Sequence, residues 1–275
     1  GRVARGVSAI VVFPRSHAWS DKFAAIGARV IHERETGLPV GARAAAAGSS
    51  APWTDARVWR TLSFYRSHLS GHPAACRAWR SRIAAIGPDL VYLNNELPLN
   101  FSVADAARSL GLPVIAHLRG VKPLRLPHRR FAPHLSAGIA ISDFVRAHHL
   151  AAGFPAGLIH RVYNGIDAAD YPFREPRATI PPDGGALLFL GRLAGWKGAE
   201  TLLDAAARLM MMRPRLTVTV AGDGPERRPM EERAVSLRLG DRVRFPGFVA
   251  DPVPLLHEAD VLVHTSTEPE PFGRV

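Results

Sequence analysis

The chain has 275 residues, 47% hydrophobic and 21% charged, enough apolar content for two folded domains and too much for a disordered chain. Its formal charge is +11, but the basic residues are scattered and come with no zinc-ligand spacing or aromatic RNA-binding signature. That sets nucleic acid aside as a partner and leaves a basic solvated surface, an anionic membrane surface or phosphorylated substrates to account for the charge. Cys76 is the single cysteine, so no intrachain disulfide can form and a reducing, cytoplasmic compartment is expected. No apolar run reaches the length of a membrane span, and no secretory leader is recognised at the start.

Short apolar, β-branched runs alternate with helical patterns along the whole chain, which predicts βαβ units on parallel sheets. Residues 8–13 (SAIVVF) are the first strand. Residues 21–26 form a short helix with Ser20 available as N-cap, and residues 28–31 a second strand. A long polar stretch, 32–51, precedes helical patterns over 54–70 and 73–86, which Gly87-Pro88 stops. Strands are then predicted over 89–93 (DLVYL), 113–118 (PVIAHL), 138–141 and 159–163, with helices over 102–110 and 143–152 ended by Gly111 and Gly153.

The segment 164–185 is rich in proline and glycine and has no periodicity, so the boundary falls there. The domains are read as 1–167, a linker over 168–185, and 186–275. The second half repeats the alternation: strands over 186–190, 216–220, 242–245 and 261–264, and helices over 199–212, 225–239 and 253–258. No glycine-rich turn follows the first strand, and the second half stops at the start of a new βα turn. The chain is therefore read as a fragment with both domains incomplete.

The turn 190–200 (LGRLAGWKGAE) carries the most chemistry. Gly191, Gly195 and Gly198 let backbone approach a ligand. Arg192 and Lys197 stand at the start of a helix whose free N–H groups and dipole suit an anion, so the pair can clamp a diphosphate. The spacing fits neither a dinucleotide fingerprint nor a Walker loop. Three more turns follow strands of the same half: 220–226 (VAGDGPE, with Gly222 and Gly224 around Asp223), 244–251 (RFPGFVAD, with Phe245 and Phe248 around Pro246-Gly247), and 265–275 (TSTEPEPFGRV). Turns at the carboxyl ends of parallel strands share one edge, where ligands bind. Cations, glycine backbone, aromatic rings and the carboxylate of Glu270 on that edge suit a nucleoside diphosphate joined to a polyhydroxy group.

These segments resemble those of glycosyltransferase family 4, the retaining GT-B enzymes also called glycosyl transferases group 1. The matching stretches are VYNGID (162–167), LGRLAGWKGAETLLDA (190–205), VAGDGPE (220–226), VRFPGFV (243–249) and EPFGRV (270–275). PDLVYLNN, LPVIAHLRG and GIAISDFVRAHHLAAG resemble the other half more weakly. The resemblance implies an α/β GT-B fold, with two doubly wound Rossmann-like domains facing a cleft. It implies transfer of a sugar from a nucleoside-diphosphate sugar to a hydroxyl of a carbohydrate or lipid-linked acceptor, with retention at the anomeric carbon. Neither a cofactor nor a metal is required, and the chain has no Asp-x-Asp pair. Peripheral contact with the inner membrane face stays open.

Residue by residue, the resemblance gives Arg192 and Lys197 the donor diphosphate and its leaving charge, and Glu270 the donor sugar. Amides at Phe272, Gly273 and Arg274 hold sugar and phosphate. Gly191, Gly222, Asp223 and Gly224 shape the nucleotide crevice, and Phe245, Gly247 and Phe248 line the base. Arg119 stands where many members have a histidine, and His117, two residues earlier, shares its strand face; both are candidates beside the reacting carbon. Ser142 and Asn164 are candidates for the cleft wall or for capping. The family's second glutamate falls three residues past Val275, so this stretch alone is expected to be inactive. A GT-B-like sugar-nucleotide epimerase or phosphorylase, and a non-catalytic module that binds sugar nucleotides or anionic membranes, are the rivals.

Overall fold

All strand pairings among the described residues are parallel. The computed structural model describes residues 8–13, 20–32, 73–94, 100–121, 132–175 and 178–275. The polar stretch and the helix expected over 54–70 lie outside them, apart from His32. Contacts divide the chain into two units, one of residues 1–140 with Arg146–Arg161, the other of Ile141–Val145 with Val162–Val275. Among the described residues no helix is long and apolar enough to cross a membrane.

In the first unit, β1 (Ile10–Phe13) pairs with β2 (Arg29–His32). The helix between them starts at Ser20 itself, whose Oγ is buried without a hydrogen-bond partner, so Ser20 does not cap it. A four-stranded sheet has the order β3 (Val91–Leu93), β4 (Val114–Leu118), β5 (Ala137–Ala140), β6 (Ile159–Arg161). In β4, Val114, Ala116 and Leu118 are buried while Ile115 and His117 share the more open face, as side-chain alternation requires. Ser142, in the Ile141–Val145 stretch that groups with the second unit, precedes the helix Asp143–Ala151, and its Oγ accepts from Val145 N at 3.1 Å, the geometry of an N-cap.

The second unit holds β7 (Gly184–Leu190), β8 (Arg215–Ala221), β9 (Val243–Gly247) and β10 (Val261–Leu262), in the order β10-β7-β8-β9. The helix Ala199–Met212 follows β7 and buries Leu202, Leu203, Ala206 and Met210. These meet Val218 and Val220 of β8 and Met230 of the helix Arg227–Ser236 in one core. Arg233 grips Asp204 with three hydrogen bonds of 2.8 to 3.1 Å, tying the two helices together on the solvent side.

Several boundaries differ from the periodicity. The helix expected over 225–239 is shorter, because Arg238 adopts φ 56°, a conformation that ends a right-handed helix. β9 runs on to Gly247, whose carbonyl accepts from Gly222 N at 2.8 Å. β10 ends at Leu262, before His264.

Leu203 is fully buried at the centre of this core. Leu203→Ala is expected to destabilise the second unit by roughly 2–5 kcal/mol, read as a lower denaturant midpoint at unchanged slope. A loss under about 1 kcal/mol would mean that the helix does not pack as described.

Candidate functional site

Strand order reverses between β7 and β10, since β8 and β9 lie on one side of β7 and β10 on the other. Open parallel sheets bind ligands at such a reversal, outside the carboxyl ends of the strands. The turns that follow β7, β8 and β10 meet there.

They meet backbone to backbone. Gly222 has φ 145°, and a Cβ on it would overlap Gly191 O; Gly224 has φ 156°, and its Cβ would overlap Leu193 O. Gly198, at φ 69°, presses on Thr265 O in the same way. Glycine at all three positions is thus a condition of the approach. Hydrogen bonds complete the joint: Leu193 N donates to Asp223 O at 2.9 Å, Thr267 N to Trp196 O at 2.9 Å, and Thr265 Oγ1 to Gly198 O at 2.7 Å. Asp223 turns its carboxylate onto Gly224 N at 2.7 Å, which shapes the turn.

The joint brings Lys197 and Glu270 into contact. Lys197 Nζ donates to Glu270 Oε1 at 2.6 Å, with side chains 16% and 12% exposed, and Nζ lies 4.5 Å from the Trp196 ring centroid. Oε1 also accepts from Ser266 Oγ and from His264 Nε2 at 2.5 Å. Burial pushes the Glu270 carboxyl up, but the hydrogen bonds from Lys197, Ser266 and His264 outweigh it and hold its pKa below the ordinary value. Arg192 is exposed and makes no ion pair among the described residues. The helix Ala199–Met212 opens at this spot with N–H groups available to an anion.

Other residues expected at the site divide. Gly273 (φ 67°) lies beside Glu270 Oε2, where a Cβ would come within 3.3 Å. Phe272 is half-buried, its ring 6.1 Å from that of Tyr163, and Arg274 is exposed. Phe245 packs on the core, whereas Phe248 is 78% exposed. Gly247 (φ 79°) has the Arg227 guanidinium beside it. Besides capping its helix, Ser142 donates through Oγ to Pro271 O. Asn164 is half-buried.

In the first unit, His117 Nδ1 and Tyr92 Oη lie 2.8 Å apart, with ring centroids at 5.8 Å. Burial, then the Arg119 charge, lowers the His117 pKa and favours neutral imidazole; burial raises that of Tyr92. Arg119 is exposed. Tyr92 and His264 had no role in the sequence reading. Tyr92 is the middle residue of β3, and its position beside His117 depends on the β3–β4 register.

A cavity of about 460 Å³ elsewhere in the second unit is lined by parts of β7 and β8 with Arg174, Arg244, His257 and Glu258. It shares no residue with these turns, and its cations are engaged. Arg244 binds Thr219 and Glu258, and Arg174 binds His257 O. The strand-end turns, not this cavity, bring close-packed glycine backbone together with Arg192, which makes no ion pair among the described residues.

The family model described as Glycosyltransferase Family 4 matches residues 13–170, more than half the chain, and that described as Glycosyl transferases group 1 matches residues 172–275. Glycogen synthase of Mycobacterium tuberculosis is 37% identical over 116 residues, 42% of this chain and 27% of that protein. The 2-deoxystreptamine glucosyltransferase of Streptomyces kanamyceticus is 31% identical over 212 residues, 66% of this chain and 54% of that protein. The chain thus spans well under two thirds of these curated relatives. Anabaena Alr3699/HepE, solved in complex with UDP and glucose, superposes over 96% of this chain and 68% of its own, with a TM-score of 0.68 at 24% identity, a likeness of fold.

Glu270 has a lower pKa folded than the ordinary carboxyl value of 4.5. Its ionisation therefore stabilises the fold above about pH 4.5, and that contribution is lost as pH falls through the folded value. The destabilisation caused by Glu270→Gln should be present at pH 7 and shrink steadily below pH 4.5. An effect of the same size from pH 7 to pH 3 in urea unfolding would rule out the charged hub.

Proposed function

Because the chain belongs to glycosyltransferase family 4, whose GT-B fold its two parallel-sheet units show, we propose that the intact protein transfers a sugar from a nucleoside-diphosphate sugar to an acceptor hydroxyl, with retention at the anomeric carbon. The observation that carries this reading is the Lys197–Glu270 contact at the strand-order reversal. One hydrogen bond there joins a cation suited to diphosphate and a carboxylate suited to sugar hydroxyls, the two ends of a sugar nucleotide.

In this reading Arg192 and Lys197 bind the diphosphate and offset the negative charge that grows on it as the glycosidic bond breaks. The N–H groups that open the helix Ala199–Met212 add to them without any reorganisation. Glu270, kept ionised by its donors, accepts from a hydroxyl of the transferred sugar, and Gly273 leaves room for that hydroxyl. Gly191, Gly222 and Gly224 form the floor under the nucleotide, and exposed Phe248 is the ring available to the base. To His117 and Arg119 we assign contact with the sugar or the acceptor, with His117 acting as neutral imidazole. The acceptor is a carbohydrate or a lipid-linked carbohydrate, the donor needs no added cofactor, and the setting is cytoplasmic.

Arg192→Ala and Lys197→Ala should each lower kcat/KM for the donor about tenfold or more, the loss expected for a charge-assisted contact to phosphate. Arg228→Ala, on an exposed residue paired with Glu232, should change it less than twofold. The measurement is donor kinetics of the full-length protein. If both site variants stay within twofold, the two cations are surface charges on an ordinary turn.

A further inference from the structure

The two oxygens of Glu270 are held unequally. Oε1 takes all three donors, from Lys197, His264 and Ser266. Oε2 has no donor among the described residues and faces Gly273. His264 Nε2 also lies 2.8 Å from Ser266 Oγ, so the imidazole and the hydroxyl form one bracket against a single carboxylate oxygen. A nitrogen this close to a carboxylate carries the proton, which fixes the tautomer.

The turn itself does not depend on this bracket. Its backbone is fixed by Thr265 Oγ1 on Gly198 O and by Thr267 N on Trp196 O, and the His264 side chain is 44% exposed. What the imidazole controls is the orientation of the carboxylate. Lys197 cannot do this alone once a diphosphate draws on the same ammonium.

We propose that His264, with Ser266 beside it, is a positioning residue for Glu270: its Nε2–H pins Oε1 so that Oε2 is presented to a hydroxyl of the donor sugar. This rests on the reading that the second unit binds a nucleoside-diphosphate sugar. While Lys197 redirects its N–H groups to phosphate, His264 and Ser266 keep the carboxylate from following it. The bracket therefore acts on the sugar end of the donor and leaves the nucleotide end untouched.

The test uses the full-length protein and calorimetry with UDP, GDP and ADP and their glucose conjugates, taking whichever pair the wild type binds. His264→Leu should leave affinity for the bare nucleotide within about twofold. The extra affinity contributed by glucose should fall about tenfold. His264→Gln, whose amide N–H can take the place of Nε2–H, should restore most of it. An equal loss for nucleotide and conjugate would mean that His264 only supports the turn, and an unchanged glucose contribution would mean that it does not position Glu270; either result overturns the proposal. If the wild type binds none of these probes, the sugar-nucleotide reading fails, and titration of the ¹³C-labelled Glu270 carboxyl decides the positioning role. A midpoint raised by His264→Leu and lowered again by His264→Gln supports it, and an unchanged midpoint overturns it.

Discussion

Three carbonyl oxygens, those of Gly191, Leu193 and Thr265, occupy the space where side chains on Gly222, Gly224 and Gly198 would begin. The turns after β7, β8 and β10 are thereby pressed together with no side chain between them. A Cβ at any of the three would push one turn off another and would also have to adopt a backbone conformation that L-residues rarely take. From this backbone contact follows the meeting of Lys197 and Glu270, which stand 73 residues apart in sequence.

The contact matters because of where the sheet puts it. β7 is the pivot of the strand order, with β8 and β9 on one side and β10 on the other. Open parallel sheets take their ligands outside the strand ends at such a reversal, and the segments leaving β7 and β10 meet there. Lys197 comes from the first and Glu270 from the second. Behind them, a core of leucine, valine and methionine holds the helix Ala199–Met212 against β8 and fixes the direction in which its N–H groups point. Packing, topology and electrostatics thus converge on one small region of the second unit.

Much of this could be read in the sequence, because the chemistry sits in local motifs. The three glycines and two cations of residues 190–200 mark a strand-to-helix turn by themselves, and the helix Ala199–Met212 keeps the bounds that its apolar spacing gave. What could not be read depends on pairing and on three-dimensional neighbours. His264 looked like the last residue of a strand, since apolar residues continue to Val263. Only the actual end of β10 at Leu262 frees it to reach Glu270. Phe245 and Phe248 looked equivalent on either side of Pro246-Gly247, yet the strand carries the first onto the core and leaves the second exposed. Tyr92 was hidden for the same reason, because only the β3–β4 register sets it beside His117. Ser20 had the chemistry of a cap but stands one residue too far along to serve as one.

The most direct test is hydrogen–deuterium exchange on the full-length protein, with and without a nucleoside-diphosphate sugar. Added protection is expected in three separate stretches, residues 190–198, 220–226 and 264–274, because a ligand held at the strand-order reversal would touch all three turns at once. The cavity beside Arg174 and His257 should stay unchanged. Protection confined to that cavity, or to one of the three turns alone, would contradict the claim that these turns form a single ligand site.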